Sequence, residues 1–333
     1  MRKKVLLTGD RPTGPLHLGH LVGSLENRVK LQDQYQSFFI IADYQVLYDH
    51  LYDTKTVLRN THEILLDWLA VGLEPKKAIF FQQSAVPYIG ELTQYFSYLV
   101  NIARLRRNPT IKEEAKSLGI DVNKDRITYG FLGFPVSQAA DILFVKAEVV
   151  PVGADQLPHI EQTREIAKTF NRLFGKTFPL PKALISKTSR LIGLDGGQKM
   201  SKSKGNAILL SDPPEVIYQK VLNAYTDPTK IHISDPGHPE TCPVCIYRQI
   251  FDPHPASARR AIEEDRLGKR GCLQNKKELT EILIEYLRPI RERRTRFAKE
   301  KGLVEKILAE GNKKACEVGS QTLQEVRKKV FGY

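Results

Sequence analysis

Lys3-Lys-Val-Leu-Leu-Thr-Gly9-Asp10-Arg11-Pro12-Thr13-Gly14-Pro15-Leu16-His17-Leu18-Gly19-His20 joins two kinds of local signal. Lys3 to Gly9 is short, apolar, partly β-branched and closed by a glycine, the pattern of a buried parallel strand. Residues 17–34 follow with Leu21, Val22, Leu25, Val29 and Leu31 near helical spacing. A strand that turns directly into a helix presents helix N–H groups at the strand's carboxyl end, where open α/β sheets bind phosphates. Gly9 and Gly14 permit tight turns, and Gly19 lets an adenine or ribose approach the backbone. His17 and His20 stand three apart and share one face of the opening turn. Imidazole N–H groups there can donate to phosphate oxygens as charge shifts on them. Taken alone, the pair also fits two polar residues at a helix start.

The alternation continues. Ser37 to Ala42 reads as a second buried strand and Ala78 to Gln82 as a third. Between them, residues 54–71 predict a helix capped by Thr54 and ended by Gly72, with Val57, Leu58, Ile64, Leu65, Trp68 and Leu69 on one face. Trp68 is expected in the core. Residues 84–131 break the rhythm: Gly90 to Arg106 looks helical and ends in Arg104-Leu-Arg-Arg107, and a lysine-rich stretch follows to Asp125. We read this as an insertion. Phe134 to Val145 predicts a helix behind Pro135, Glu148 to Gly153 a strand, and Gln156 to Phe174 a helix. Residues 211–333 hold few strand-like runs and many helical ones. The fold class is therefore α/β: a Rossmann-like doubly wound parallel sheet with an insertion, followed by a mainly helical C-terminal domain. The expected domains are 1–210 and 211–333.

Composition sets limits on function. With 333 residues, 41% of them hydrophobic and 27% charged, the chain is long enough for about two folded domains and is not a disordered polymer. The longest apolar runs are too short to cross a bilayer, and the basic start runs into a strand rather than a signal-peptide core. No membrane association and a cytoplasmic setting are expected. A formal charge of +13 favours polyanionic partners, nucleic acid above all, although many soluble proteins are simply basic. Four cysteines do not make a disulfide scaffold. Cys242-Pro-Val-Cys245, with Cys272 near in sequence, has a spacing open to a metal or to plain thiols; no tightly bound protein metal is expected.

A second motif lies about 180 residues beyond the first, Lys199-Met200-Ser201-Lys202-Ser203, followed by Lys204-Gly205-Asn206. Three lysines within six residues, with seryl hydroxyls and loop N–H groups, can wrap a pyrophosphate. The preceding Asp195-Gly196-Gly197 suggests mobility. A solvated basic loop is the alternative.

Together the two motifs resemble the paired signatures of class I aminoacyl-tRNA synthetases. The length and layout resemble the tyrosyl/tryptophanyl subclass. Phe134-Pro-Val-Ser-Gln138-Ala-Ala-Asp141 is similar to the amino-acid pocket segment of its tryptophanyl branch, and Val150-Pro-Val-Gly153-Ala154-Asp155-Gln156-Leu-Pro-His159 to its second nucleotide segment. The resemblance implies activation of L-tryptophan by ATP with Mg²⁺, transfer to tRNA(Trp), and a homodimer. It implies that His17, His20, Lys199 and Lys202 serve the chemistry. It implies ATP contacts at Arg11, Pro12, Thr13, Gly19, His20, Gly153, Ala154, Asp155, Leu191, Lys199, Met200, Ser201, Lys202 and Ser203. Asp141 would accept the indole N–H, Gln156 would hold the α-amino group, and Gln45 and Gln138 would line the same pocket. Arg11, Phe134 and Gln138 depart from residues common in that branch and resemble a divergent second bacterial type. Arg11 would pair with Asp10, a phosphate or the substrate carboxylate. Arg288, Arg291, Arg293, Arg294 and Arg296 are placed to meet tRNA phosphates. The alternatives are a tyrosine–tRNA ligase, a small-molecule nucleotidyltransferase, and a synthetase-like regulatory paralogue that binds tryptophan or RNA.

Overall fold

The computed structural model describes residues 2–48, 51, 54–122, 127–185, 191–197 and 199–333. Strand β1 (Val5–Asp10) leads into a single helical turn α1 (Leu18–His20), a π-helical turn (Leu21–Leu25) and α2 (Glu26–Leu31). Then come β2 (Gln36–Ile41), α3 (Val57–Val71) and β3 (Ala78–Gln82). The insertion holds α4 (Tyr88–Ser97), α5 (Ile102–Arg106) and α6 (Pro109–Ser117), and α7 (Tyr129–Leu143) returns to β4 (Val149–Val152). Helix α8 (Leu157–Phe174) and β5 (Lys182–Ile185) complete the sheet. Among the described residues, the rest is helical: α9 (Pro214–Leu222), α10 (Pro243–Phe251), α11 (Pro255–Arg266), α12 (Cys272–Lys299) and α13 (Leu303–Phe331).

The strands lie in the order β3-β2-β1-β4-β5, all parallel. The chain builds one side of β1 first and then crosses to the other, so the switch point falls between β1 and β4, where such sheets bind ligands. Alternate strand residues feed two cores. Leu6, Phe39, Ile41 and Phe80 pack with Trp68 of α3 and Leu283 of α12. Leu7, Phe38, Ile40 and Phe81 pack on the other face with Phe96, Phe144 and Phe170.

Helix α13 returns to the sheet and covers its β3 edge. A Cβ on Gly311 would meet the Phe80 carbonyl oxygen at 1.7 Å, so only glycine lets the helix lie this close. Asn312 Oδ1 accepts from the Gln82 N–H at 2.8 Å, taking up a donor of the edge strand.

Several expectations need correction. Helix α3 starts at Val57 after Thr56, not behind a Thr54 cap, and no side chain caps it; Thr54 offers its carbonyl to the Val57 N–H. Leu58 is 67% exposed rather than on the buried face. Gly72 does end the helix, at φ +107. The run from Gly90 to Arg106 is two helices, because the Asn101 side chain caps a new start. Pro135 lies inside α7, which begins at Tyr129 behind a Thr128 cap. The lysine-rich stretch carries α6, capped by Asn108 and opened by Pro109; its last residues, 123–125, lie outside the described ones. Strand β5, only four residues and half-exposed, was not foreseen.

Candidate active site

The turn after β1 is built by buried polar contacts. Arg28 of α2 clasps Asp10 at 2.6 and 3.1 Å, and the Trp68 indole donates to the same carboxylate at 2.9 Å. Burial alone would raise the Asp10 pKa, but the Arg28 guanidinium, joined by His20 and the Trp68 indole, outweighs it and holds the carboxyl below its ordinary range. Trp68 is in the core, as expected, yet it also anchors this strand end. The Leu16 N–H donates to Asp67 at 2.8 Å.

His17 caps α1: its Nδ1 accepts from the Gly19 N–H at 3.1 Å, and His20 Nδ1 accepts from the His17 N–H at 3.2 Å. With both Nδ1 atoms used as acceptors, each imidazole carries its proton on Nε2. Burial, then the charge of His20, Lys202 and Lys199, drives the His17 pKa down to about 2. Burial likewise takes His20 to about 4, against the pull of Asp10. Both rings are therefore neutral donors at pH 7, with centroids 3.9 Å apart.

The Lys199 loop folds back over this turn. Gly19 donates its N–H to the Met200 sulfur at 3.3 Å, and Met200 donates its N–H to the Leu191 carbonyl at 3.1 Å. Gly14, at φ +136, lies beneath Lys202, whose Nζ would sit 3.2 Å from a Cβ there. Burial lowers the Lys202 pKa to about 8, opposed by Asp10 and Asp67. Asn206 organises the loop: Oδ1 accepts from the Ser201 N–H at 2.7 Å and Nδ2 donates to Asp195 at 2.9 Å.

Two cavities adjoin at the switch point. One, of about 720 Å³, is lined by His17 and His20, by Thr13 and Gly19, by Gly153, Ala154 and Asp155, and by Leu191, Lys199, Met200, Ser201 and Lys202. The other, of about 270 Å³, is lined by Asp141, Gln45, Gln138 and Gln156, among others. Gly23, Ser24, Gly153 and Gln156 border both. The π-helical turn puts Gly23 and Ser24 there, and such turns recur at functional sites. A Cβ on Gly153 would fall 2.5 Å from Asp155 Oδ1, so glycine makes room for that carboxylate.

Two expected nucleotide contacts are elsewhere. Arg11 lines the Asp141 cavity, stacks 4.6 Å over the Tyr48 ring and hydrogen-bonds its hydroxyl. Tyr48 in turn stacks on Phe134 with centroids 4.7 Å apart, so two of the sequence's unusual residues share one partner. Pro12 lines neither cavity and offers its carbonyl to Asn60 at 3.0 Å. The Ser203 side chain lies outside the described ones.

Asp141 is 2% exposed. Gln83 donates to both its oxygens, at 2.8 and 2.9 Å, and Gln45 to Oδ2 at 2.8 Å. Burial raises its pKa to about 7 even so, with Asp43 adding to the rise. A buried carboxylate held by amide donors and facing a cavity is built to take one more donor. Gln83 was missed; its signal is a glutamine directly after a buried parallel strand.

Of the arginines expected to meet tRNA, Arg293 donates to the Ala70 carbonyl and Arg294 pairs with Asp67 and Glu63. They bind α12 to α3. Arg288 pairs with Glu285; Arg104, in the basic run of the insertion, pairs with Glu165 of α8.

The model of the tRNA synthetases class I (W and Y) matches residues 1–288. The chain is 47% identical to a tryptophan–tRNA ligase of Clostridium longisporum, covering 99% of this chain and 97% of that protein. It is 46% identical to one from Streptococcus pyogenes, over 98% of each. A tryptophanyl-tRNA synthetase from Campylobacter jejuni, solved with ADP and tryptophan, superposes with a TM-score of 0.85 at 28% identity, covering 98% of this chain and 99% of that one. The chain belongs to the class I tRNA synthetases of the tryptophan and tyrosine family.

Proposed function

We propose that the protein is a tryptophan–tRNA ligase that joins L-tryptophan to tRNA(Trp) at the expense of ATP. The observation that carries this reading is the Asp141 cavity opening onto the histidine–lysine cavity. Asp141 accepts the indole N–H, with Gln45, Gln138 and Gln156 around the rest of the substrate. Phenylalanine would leave the buried carboxylate unpaired and is rejected. Gln156, bordering both cavities, holds the α-amino end and so turns the tryptophan carboxylate toward the nucleotide.

The tryptophan carboxylate attacks the α-phosphorus of ATP, forming tryptophanyl-adenylate and releasing pyrophosphate. No protein nucleophile is needed; alignment and charge stabilisation supply the rate. The neutral Nε2–H groups of His17 and His20 donate to phosphate oxygens, and Lys199 and Lys202 take the charge growing on pyrophosphate. Asp155 receives ribose hydroxyls, and Leu191 and Met200 face the base. Mg²⁺ is carried on the ATP phosphates, whose oxygens suit it. The 2′ hydroxyl at the tRNA 3′ end then takes the acyl group.

In this reading residues 1–210 are the catalytic domain and 211–333 the tRNA-binding domain, acting in the cytoplasm. No helix among the described residues is long and apolar enough to cross a membrane. A homodimer forms through the insertion, which the exposed Tyr98, Ile102 and Tyr129 support. Amino-acid-dependent ATP–pyrophosphate exchange, run with all twenty amino acids separately, tests the reading. Exchange with tryptophan alone is expected. Exchange with tyrosine would keep the chemistry and overturn the pocket. No exchange with any would favour a regulatory paralogue.

A further inference from the structure

Cys242-Pro-Val-Cys245 opens α10. Cys242 is the N-cap, and Pro243 fills the first helical position. Cys242 and Cys245 stand three residues apart at the start of the helix, so their side chains share one face of its first turn. Helix N–H groups stabilise a thiolate. The neighbouring Cys245 thiol and the helix N–H groups draw the Cys242 thiol down against its burial, while Cys242 and burial push Cys245 up. Cys242 is half-buried and Cys245 fully buried.

Behind Cys245 stands Asp265, whose carboxylate accepts from the thiol at 3.8 Å, and Asn275, which donates to the sulfur at 3.4 Å. Asp265 is itself buried and paired with buried Lys230 at 2.9 Å. The arrangement has three parts: a reachable nucleophile, a shielded second thiol, and a carboxylate placed to take that thiol's proton. Lys230, Lys276, Asp227 and His238 also line the small cavity here, as does a third thiol, Cys272.

We propose that Cys242 and Cys245 are a redox-active dithiol that exchanges with low-molecular-weight disulfides, and that its state is felt at the Lys199–Lys202 loop. Cys242 thiolate attacks a disulfide such as oxidised glutathione, forming a mixed disulfide and releasing one thiolate. Cys245 then gives its proton to Asp265 and attacks Cys242, expelling the second thiolate, which takes up the proton. Two protein thiols are oxidised and one glutathione disulfide is reduced to two thiols. Transmission to the loop has two routes. Tyr247, two residues after Cys245, donates to the Ile192 carbonyl at 2.6 Å, and Ile192 bridges to Lys199. Tyr225, a wall of the cysteine cavity, lies against Gly196 and donates its N–H to Leu194 at 2.7 Å.

The test is a titration of the full chain with mixtures of reduced and oxidised glutathione, followed by alkylation and peptide mass mapping. A Cys242–Cys245 disulfide should form reversibly. Cys245→Ser should retain glutathione on Cys242, and Asp265→Asn should slow ring closure about tenfold without slowing the first attack. Should Asp265→Asn fail to fold, the Cys245→Ser trap still decides. Amide exchange at residues 199–206 should change at least threefold on oxidation, a readout independent of the ligase reading, which tryptophan-dependent pyrophosphate exchange of the reduced protein tests separately. Both thiols remaining separately alkylatable under full oxidation would overturn the proposal. So would stoichiometric zinc or iron in the purified protein, or loop exchange unchanged in the disulfide form.

Discussion

Gln83→Met is the sharpest probe of how the amino-acid cavity is tuned. Methionine keeps the length of glutamine and removes the one NH₂ group that reaches both Asp141 oxygens. Asp141 would retain Gln45 as its donor. A hydrogen bond to a charged group is worth about 1.5–3 kcal/mol. At about 1.36 kcal/mol per pKa unit, losing it moves the Asp141 midpoint up by about 1–2 units from its value of about 7. Only the ionised carboxylate serves the indole N–H fully. The wild-type kcat/KM for tryptophan in pyrophosphate exchange should therefore rise through pH 7 and level off above it. In the variant the rise should move to about pH 8–9, with a loss of about 5- to 50-fold at pH 7 and recovery at higher pH. The same group has a sign in stability. Its folded pKa lies above the unfolded value of about 3.9, so it stabilises at low pH and that contribution is lost as pH rises from about 4 to 7. A midpoint that stays near 7 in Gln83→Met, or falls, would refute the tuning argument.

Lys202→Ala should cut the adenylation rate by at least 100-fold while changing tryptophan affinity less than threefold; equal losses in both would remove Lys202 from the chemistry. His17→Asn keeps a capping side chain but removes a group whose pKa is depressed to about 2. Since a depressed histidine costs stability as pH falls below about 6.5, urea unfolding of the variant should depend less on pH between 4.5 and 6.5. An unchanged slope would mean His17 is protonated in the fold. Gly311→Val places a side chain against the Phe80 carbonyl and should destabilise by roughly 2–4 kcal/mol, read as a lower Tm and lower exchange activity together. A neutral result would mean α13 does not hold the β3 edge in solution.

The catalytic sheet was legible because its inner strands are short apolar runs bounded by glycine and polar turns, and parallel strands buried on both faces carry that pattern. The two signature motifs were legible because residues that cradle phosphate sit together in sequence. Strand β5 escaped because a four-residue, half-exposed edge needs no such pattern. Thr54 and Leu58 were misplaced because capping and facing depend on where the preceding loop delivers the chain. The buried polar contacts made by Gln83, Trp68, Arg28 and Arg294 were out of reach for a different reason. Their partners lie 58, 58, 18 and 227 residues away, and a buried hydrogen bond leaves no periodic trace in sequence. Arg293 and Arg294 look like a phosphate-binding face in sequence and act as a clamp in the fold.

The closure of the sheet by α13 sets a schedule for synthesis. Gln82 waits for Asn312, 230 residues later in the chain. At about 5–20 residues per second, a nascent chain carries an open β3 edge for roughly 10 to 50 s after that strand is made. During that interval the edge is a template for pairing with other chains.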